Sequence, residues 1–499
     1  MVIESLKYKI LQQFGFAPTQ EQGQALDTFV SFLTDRDPQA VMILRGSAGT
    51  GKTSLSGAIV RTLLQIRQKV MLLAPTGRAA KVFSLGSGAP AYTIHRRIYR
   101  EKAFAGVDGQ FSLNDNLYTD TLFMVDEASM IANMGLGGTT FGSGCLLDDL
   151  VKFVYQGHND RLLLIGDKAQ LPPVGEEESP ALSASVMEGY GLKVYECDLN
   201  EVLRQSQSSG ILYNATLIRQ MITHDAVTGL PLIRFKGFAD IVMMPGAELV
   251  ESLGDSYHHV GMDETMVITR SNKRANIYNN GIRNMVLDRE EELSSGDMLM
   301  IVKNNYFWTE KEKKESGEGS AGAVPAFLAN GDRAKVLRVS NYIELYGFRF
   351  ATLLLQFPDY DDYEMQVTGM LDTLQSEAPA LTHEQQEELF RQVEEDYQHF
   401  VPLKADRMKS IRQDAYFNAL QIKYAYAVTC HKAQGGQWAH VYVDQGYMTD
   451  DMLTPDYIHW LYTAFTRATD KLFLVNWPKE HSSMRNSPYK VLPDAACIF

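Results

Sequence analysis

The sequence predicts an α/β protein with two parallel-sheet domains in tandem, the second split by an inserted block of β-structure. Three observations lead there. Short apolar runs alternate with helical patterns through the first third, as the strands of parallel sheets do. A glycine-rich loop, GSAGTGKT at 46–53, lies between one such run and a helical pattern. A second group of strand-like runs starts at residue 265, breaks off, and resumes after residue 420.

At 499 residues the chain exceeds the roughly 250–300 residues of a single core, so several domains are expected. A hydrophobic share of 45% with 22% charged residues is that of a soluble globular protein. No apolar run approaches the roughly 18 residues of a membrane span, and the opening MVIESLKYKILQQF lacks a secretory pattern. Cys145, Cys197, Cys430 and Cys497 are scattered without a Cys-x-x-Cys pair. That spacing argues against a zinc site or a disulfide framework and leads us to expect a reducing, cytoplasmic setting. The net charge of −14 speaks at first against a nucleic-acid partner. Between Asp359 and Asp396, however, twelve acidic residues face one basic one, Arg391, leaving only −3 for the rest. A near-neutral body can hold a locally basic channel, and the local field is what binds phosphates.

In chain order, AVMILRG (40–46), KVMLLAP (69–75), TLFMVDE (121–127) and RLLLIGD (161–167) each read as a buried strand ending in a polar or glycine turn. Ligands of such sheets gather at the carboxyl ends of the strands. The polar stretch 100–118, with Asp-Gly at 108–109, reads as an inserted hairpin. IANMGLGGTTFGSG (131–144) reads as a surface connector. TMVITRSN (265–272), IKYAYAVT (422–429), AHVYVDQ (439–445) and KLFLVNW (471–477) are the strands expected of the second domain. The interruption at 290–420 holds DMLMIVKNNYFW, NGDRAKVLRV and RFATLLLQF, which predict a small β-barrel. In LTHEQQEELFRQVEEDYQHF (381–400), Thr382 and Gln385 make a capping box. Leu389, Val393 and Tyr397 form one apolar face, so the segment is expected as a helical lid on the barrel.

The 46–53 loop fits Gly-x-x-x-x-Gly-Lys-Thr, so Gly46, Ser47, Ala48, Gly49, Thr50 and Gly51 are expected to curl backbone N–H groups around a nucleotide's phosphates. Lys52 would reach the β- and γ-phosphates, and Thr53 would hold Mg²⁺. Asp126 at the next strand end is a second Mg²⁺ ligand, and Glu127 beside it can deprotonate an attacking water. This points to ATP hydrolysis. Gln170, in LIGDKAQLPPVG (164–175), is placed to notice the γ-phosphate.

Together these segments resemble the superfamily 1 helicases, in particular their B branch of RecD-like and Dda-like enzymes. The matching motifs run in order from residue 18 to residue 469. The resemblance implies two RecA-like domains, at 1–95 with 120–204 and at 205–289 with 421–499. It also implies a wedge hairpin at 96–119 and a Src-homology-3-like barrel at 290–420. In PTQEQ (18–22), Gln22 matches an adenine-reading glutamine. APTGRAAK (74–81) and TIH (93–95) resemble the first single-strand contacts, which would be Pro75, Thr76, Lys81, Thr93 and His95. LNEVLRQ (199–205) carries Arg204 at an arginine-finger position. YAVTCHKAQGG (426–436) would add Thr429, His431 and Lys432 on the strand and Gly436 on the nucleotide side. In LYTAFTRA (461–468), Arg467 matches the second finger. Ala433 stands where many relatives have serine, and Thr469 where a basic residue is common. The activity implied is ATP-dependent, 5′ to 3′ DNA unwinding by a monomer acting on single strands and duplex junctions. An RNA helicase of the same branch, or a P-loop switch without unwinding activity, would share the nucleotide motifs.

Overall fold

The computed structural model describes residues 2–104, 109–135, 142–202, 208–223, 229–316, 325, 327–401, 403–449 and 452–483. Among them, the first sheet runs Ala91–Thr93, Lys69–Ala74, Thr121–Val125, Arg161–Gly166, Ala40–Gly46, Lys193–Leu199. Every neighbouring pair is parallel. Side chains alternate between two cores, as the period of a strand demands. Ala40, Met42, Leu44, Leu163 and Ile165 meet helices Val2–Phe14, Gln20–Leu33 and Lys52–Gln65 on one face. Val41, Ile43, Leu162 and Leu164 meet Leu147, Leu150 and Val154 of helix Leu146–Gln156 on the other. Burial on both faces is why these strands read as unbroken apolar runs. Two strands lacked that signal. Ala91–Thr93 is three residues long, and Lys193–Leu199 is an edge strand with exposed positions.

The second sheet is also parallel, in the order Ile241–Met244, Ala468–Val475, Trp438–Asp444, Thr265–Thr269, Ala427–Thr429. Between its last two strands the chain builds a closed barrel from Met298–Ile301, Arg333–Leu345, Phe348–Phe357, Tyr363–Met370 and Leu420–Tyr424. The hairpin from Leu345 to Phe348 turns on Tyr346 and Gly347, with φ of 56° and 75°, the left-handed pair that a two-residue turn requires.

The stretch 422–429, expected as one strand of the second domain, is divided. Leu420–Tyr424 closes the barrel against Met298–Ile301, and only Ala427–Thr429 joins the second sheet. Asn279 holds the break: its Oδ1 accepts the N–H groups of Tyr426, at 3.1 Å, and Ala427, at 2.8 Å. The helix His383–Phe400 forms with the Thr382–Gln385 capping box in place. Its Leu389 and Val393 pack on Phe348, Phe350 and Met370 of the barrel. Tyr99–Phe104 pairs antiparallel with Gly109–Leu113. The Asp108 end of that turn, residues 136–141 of the connector, and Cys497 lie outside the described residues. Among the described residues, no helix is long and apolar enough to cross a membrane.

Candidate active site

The loop after strand Ala40–Gly46 is shaped by glycine. Gly49 and Gly51 take φ of 78° and 80°, and a Cβ on Gly46 would sit 2.9 Å from both Lys52 Cγ and Thr50 Oγ1. Helix Lys52–Gln65 starts at once behind the loop, so its positive end faces the same space. Lys52 Nζ donates to the carbonyls of Gly46 and, at 3.0 Å, Ser47. Gln22 is buried behind the loop: its Nε2 donates to the Thr50 carbonyl at 2.9 Å, while its Oε1 accepts the Thr19 N–H. In this arrangement its side chain braces the loop.

Strand Thr121–Val125 delivers Asp126 and Glu127 to the same end of the sheet. Asp126 donates its N–H to Leu73, in the neighbouring strand, and its Oδ1 accepts the Glu127 N–H at 2.9 Å. Glu127 turns away with φ of 52°, a left-handed conformation that costs a non-glycine residue about 1 kcal/mol. Burial, with the adjacent Glu127 carboxylate, pushes Asp126 up to about 7 against the opposing pull of Lys52. Thr53 and Asp126 line one cavity of about 390 Å³. A half-buried carboxylate and a hydroxyl lining one cavity are a donor set suited to a hard divalent cation, with phosphates and water supplying the other ligands. Among the described residues, no cluster of three or more His, Cys, Asp or Glu could hold a metal by itself.

The same cavity is lined from the second lobe by Gly435, Gln437, Thr466 and Arg467. Arg467 is held by three acceptors: the Thr463 carbonyl at 3.1 Å, the Gly436 carbonyl at 3.1 Å and Thr466 Oγ1 at 3.2 Å. Its Nη1 lies 4.0 Å from Glu127 Oε1. The loop and the arginine are more than 400 positions apart in sequence, and the fold brings them to one cleft. Gly436 contributes its carbonyl to this clamp, whereas Gly435 lines the cavity. Gln170 also lines it, and its Oε1 is buried without a hydrogen-bond partner.

Helix Pro455–Phe465 of the second lobe locks onto the loop after strand Arg161–Gly166. Tyr462 Oη donates to Asp167 Oδ2 at 2.7 Å and accepts the Ala48 N–H at 3.0 Å. Thr463 Oγ1 accepts the Leu171 N–H at 2.8 Å, and Gln434 Nε2 donates to the Leu171 carbonyl at 2.8 Å. From helix Gly210–Thr223, Arg219 donates to Ser47 Oγ in the phosphate loop. Neither Arg219 nor Tyr462 stood out in the sequence. Tyr462 had a signal in its place five residues before Arg467; Arg219 had none. Arg204 lies outside the described residues.

Of the expected strand contacts, Thr76, Lys81 and Lys432 fall at the seam between lobes and barrel. Pro75 and Thr76 open helix Gly77–Ser87, with Thr76 as its cap; Gly435 packs against Thr76 and Ala79. Lys81 is taken up by the barrel: its Nζ donates to the Pro358 carbonyl and lies 3.8 Å from Asp359 Oδ1. Thr93 caps helix Ile94–Ile98, and burial pushes His95 down to about 4, so its ring is neutral at pH 7. Thr429 stands at the N-cap position of the short helix Cys430–Ala433 without a side-chain cap bond, and the helix carries an exposed His431 and a half-buried Lys432. Lys432 Nζ donates to Asn330 Oδ1 at 3.4 Å, and burial pushes it down to about 8.

Fold and cleft together bring a glycine-rich loop, an acidic pair and an arginine from the second lobe to one cavity. The family model described as an AAA domain matches residues 17–229, and that of a UvrD-like helicase C-terminal domain matches residues 424–475. The chain is 30% identical over 157 residues to the ATP-dependent RecD2 DNA helicase of Deinococcus radiodurans, covering 31% of this chain and 18% of that one. It is 25% identical over 267 residues to the ATP-dependent DNA helicase dda of Enterobacteria phage T4, covering 52% and 55%. The chain thus spans less than two thirds of either relative. Against the crystal structure of Pif1 helicase from Bacteroides with ADP-AlF3 and ssDNA, identity is 13%, coverage 93% of both chains, and the TM-score 0.44. The chain's first part is thus similar to an AAA domain and residues 424–475 to a helicase C-terminal domain.

Proposed function

We propose that this chain is an ATP-dependent DNA helicase that moves 5′ to 3′ on single-stranded DNA and separates duplex. The observation that carries the reading is the shared cleft, where Lys52 and Arg467 line one cavity and Arg467 Nη1 lies 4.0 Å from Glu127 Oε1. A triphosphate bound there would touch both lobes and close them, and its cleavage would let them part. Glu127 takes the proton of the attacking water, and Lys52 and Arg467 offset the charge that develops on the γ-phosphoryl oxygens. Thr53 and Asp126 would hold Mg²⁺, which when bound supplies positive charge to the phosphate oxygens. Gln170 lines the cleft, where its amide N–H groups would donate to the γ-phosphate and its unpartnered Oε1 would accept from water.

In this reading the lobes are RecA-like domains, at 1–95 with 120–204 and at 205–289 with 421–499. The hairpin within 96–119 is the wedge, and the barrel is a Src-homology-3-like fold that confines the strand. Thr76, Thr93, His95, Thr429, His431 and Lys432 grip the strand from the two lobes, so the ATP-controlled spacing between them becomes a step. Strand binding combines salt-dependent phosphate contacts with base stacking.

A strand-separation assay with 5′-tailed and 3′-tailed DNA duplexes tests it. ATP-dependent separation of the 5′-tailed duplex alone is expected. Failure on both, or preference for the 3′ tail, would overturn the reading. Stronger stimulation of ATP hydrolysis by RNA than by DNA oligomers would make it an RNA helicase. Hydrolysis indifferent to both would make it a switch.

A further inference from the structure

A second cavity lies away from the cleft that holds Lys52 and Arg467. It is a cavity of about 910 Å³ where the barrel, helix Phe307–Ser316 and the helices His383–Phe400 and Lys404–Arg412 meet the hairpin strand Gly109–Leu113. None of the residues assigned above to nucleotide or strand lines it.

Its walls have a distinct chemistry. Among the described residues, Lys303, Lys311, Lys314, Lys409 and Arg412 face it against two carboxylates, Glu310 and Glu315. A local balance of +3 in a protein of net charge −14 concentrates positive potential in one concavity. The helix His383–Phe400 belongs to the most acidic segment of the chain, yet it turns only Gln386 and Leu389 to this space and no carboxylate. Phe111, Tyr306, Phe307 and Phe417 bring aromatic rings into its lining. Phe111 of the hairpin lies 4.6 Å from the Tyr306 ring, and Tyr306 stacks on Phe327 at 4.7 Å. Amides of Asn304, Asn305 and Gln413 complete the lining. Cations for phosphates, flat rings for base stacking and amides for base edges are the combination that single-stranded nucleic acid requires. Asn330 joins this cavity to the track on the lobes: it lines the cavity and accepts from Lys432 Nζ.

We propose that this cavity is an accessory groove for single-stranded nucleic acid, distinct from the grip of the two lobes and continuous with it at Asn330. The inference rests on the helicase reading. The strand it holds is either a further stretch of the one being tracked or the one displaced at the hairpin.

The double variant Lys409→Glu, Arg412→Glu tests it, since both side chains are exposed and outside the ATP cleft. Binding is measured by fluorescence anisotropy across a salt series. One fork carries a single-stranded tail on the displaced strand; the other carries a lengthened tail on the tracked strand. On one of the two forks the variant should lose affinity at least fivefold. Its log–log salt slope there should flatten by about 1.4 units, at roughly 0.7 per lost phosphate contact. The fork that shows the loss names the strand. ATP hydrolysis stimulated by a short oligonucleotide should stay at the wild-type rate, which also shows that the variant folds. Wild-type affinity and slope on both forks would overturn the groove and leave the helicase reading intact. A wild-type protein that bound neither fork would instead sink the helicase reading.

Discussion

Tyr462 donates its hydroxyl proton to Asp167 at 2.7 Å, and the same oxygen accepts the N–H of Ala48. One phenol on the second lobe thereby ties the phosphate loop to the strand end that carries Gln170. Burial, with the Asp167 carboxylate, raises Tyr462 well above its ordinary value, so it stays a neutral donor. Tyr462→Phe removes both bonds and keeps the ring packing. A lost hydrogen bond to a charged group is worth about 1.5–3 kcal/mol, so coupling between the lobes should weaken by at least tenfold. The expected outcome is a DNA-stimulated ATPase rate about tenfold down with nucleotide binding within about threefold of wild type, read by steady-state kinetics and a fluorescent nucleotide.

Glu127→Gln keeps the shape of the site and removes the proposed base. General-base catalysis contributes about 10²–10⁴-fold, so hydrolysis should fall by that factor while ATP still binds. Wild-type-like hydrolysis in a quenched-flow assay would remove Glu127 from its assigned role.

Arg467→Ala should lower hydrolysis by about three to five orders of magnitude if its charge acts as a finger on the transition state. Its clamp of three acceptors leaves the fork pointing at Glu127, so Arg467→Lys should recover little of the loss. A rate unchanged in the alanine variant would mean that the lobes do not share the site.

Arg219 reaches Ser47 from the second lobe, so it should position the phosphate loop for nucleotide entry. Arg219→Ala is expected to raise KM for ATP about five- to tenfold with kcat within about twofold. A fall in kcat at constant KM would refute that role.

Asp332 sits where the barrel meets the first lobe, with Oδ2 accepting from Tyr360 Oη at 2.6 Å and from the Ala329 N–H at 2.7 Å. Its other oxygen is buried without a partner, beside Gly77. Burial pushes the carboxyl up to about 7 from an ordinary 3.8. Between those values the folded chain holds a proton that the unfolded chain has released, so this group's contribution to stability falls as pH rises from about 4 to about 7. Asp332→Asn removes that slope. In thermal melts the variant should gain on wild type at pH 8, and the gain should vanish near pH 4. A pH-independent difference would contradict it.

Much of this was legible because the physics is local. The strands Ala40–Gly46, Thr121–Val125 and Arg161–Gly166 are buried on both faces and show as apolar runs, and Thr382 with Gln385 caps its helix without any distant partner. Where the reading missed, a neighbour remote in sequence decides. The run 422–429 looks continuous, but Asn279 breaks it; nor does the sequence announce the contact that Lys81 makes with Pro358 and Asp359 of the barrel. Arg219 carries no mark that would distinguish it from any helical surface arginine.

By itself, then, the chain's order of residues determined the phosphate loop, the acidic pair at 126–127 and the two-sheet plan, since each follows from spacing within a few turns or strands. Only the tertiary structure decided that Arg467 lies 4.0 Å from Glu127, that Tyr462 bridges Ala48 and Asp167, and that the barrel's helices wall a basic cavity beside the hairpin. Those relationships join segments far apart in the chain. They exist only once apolar burial has brought the two lobes and the barrel together, and no local pattern encodes the distance between them.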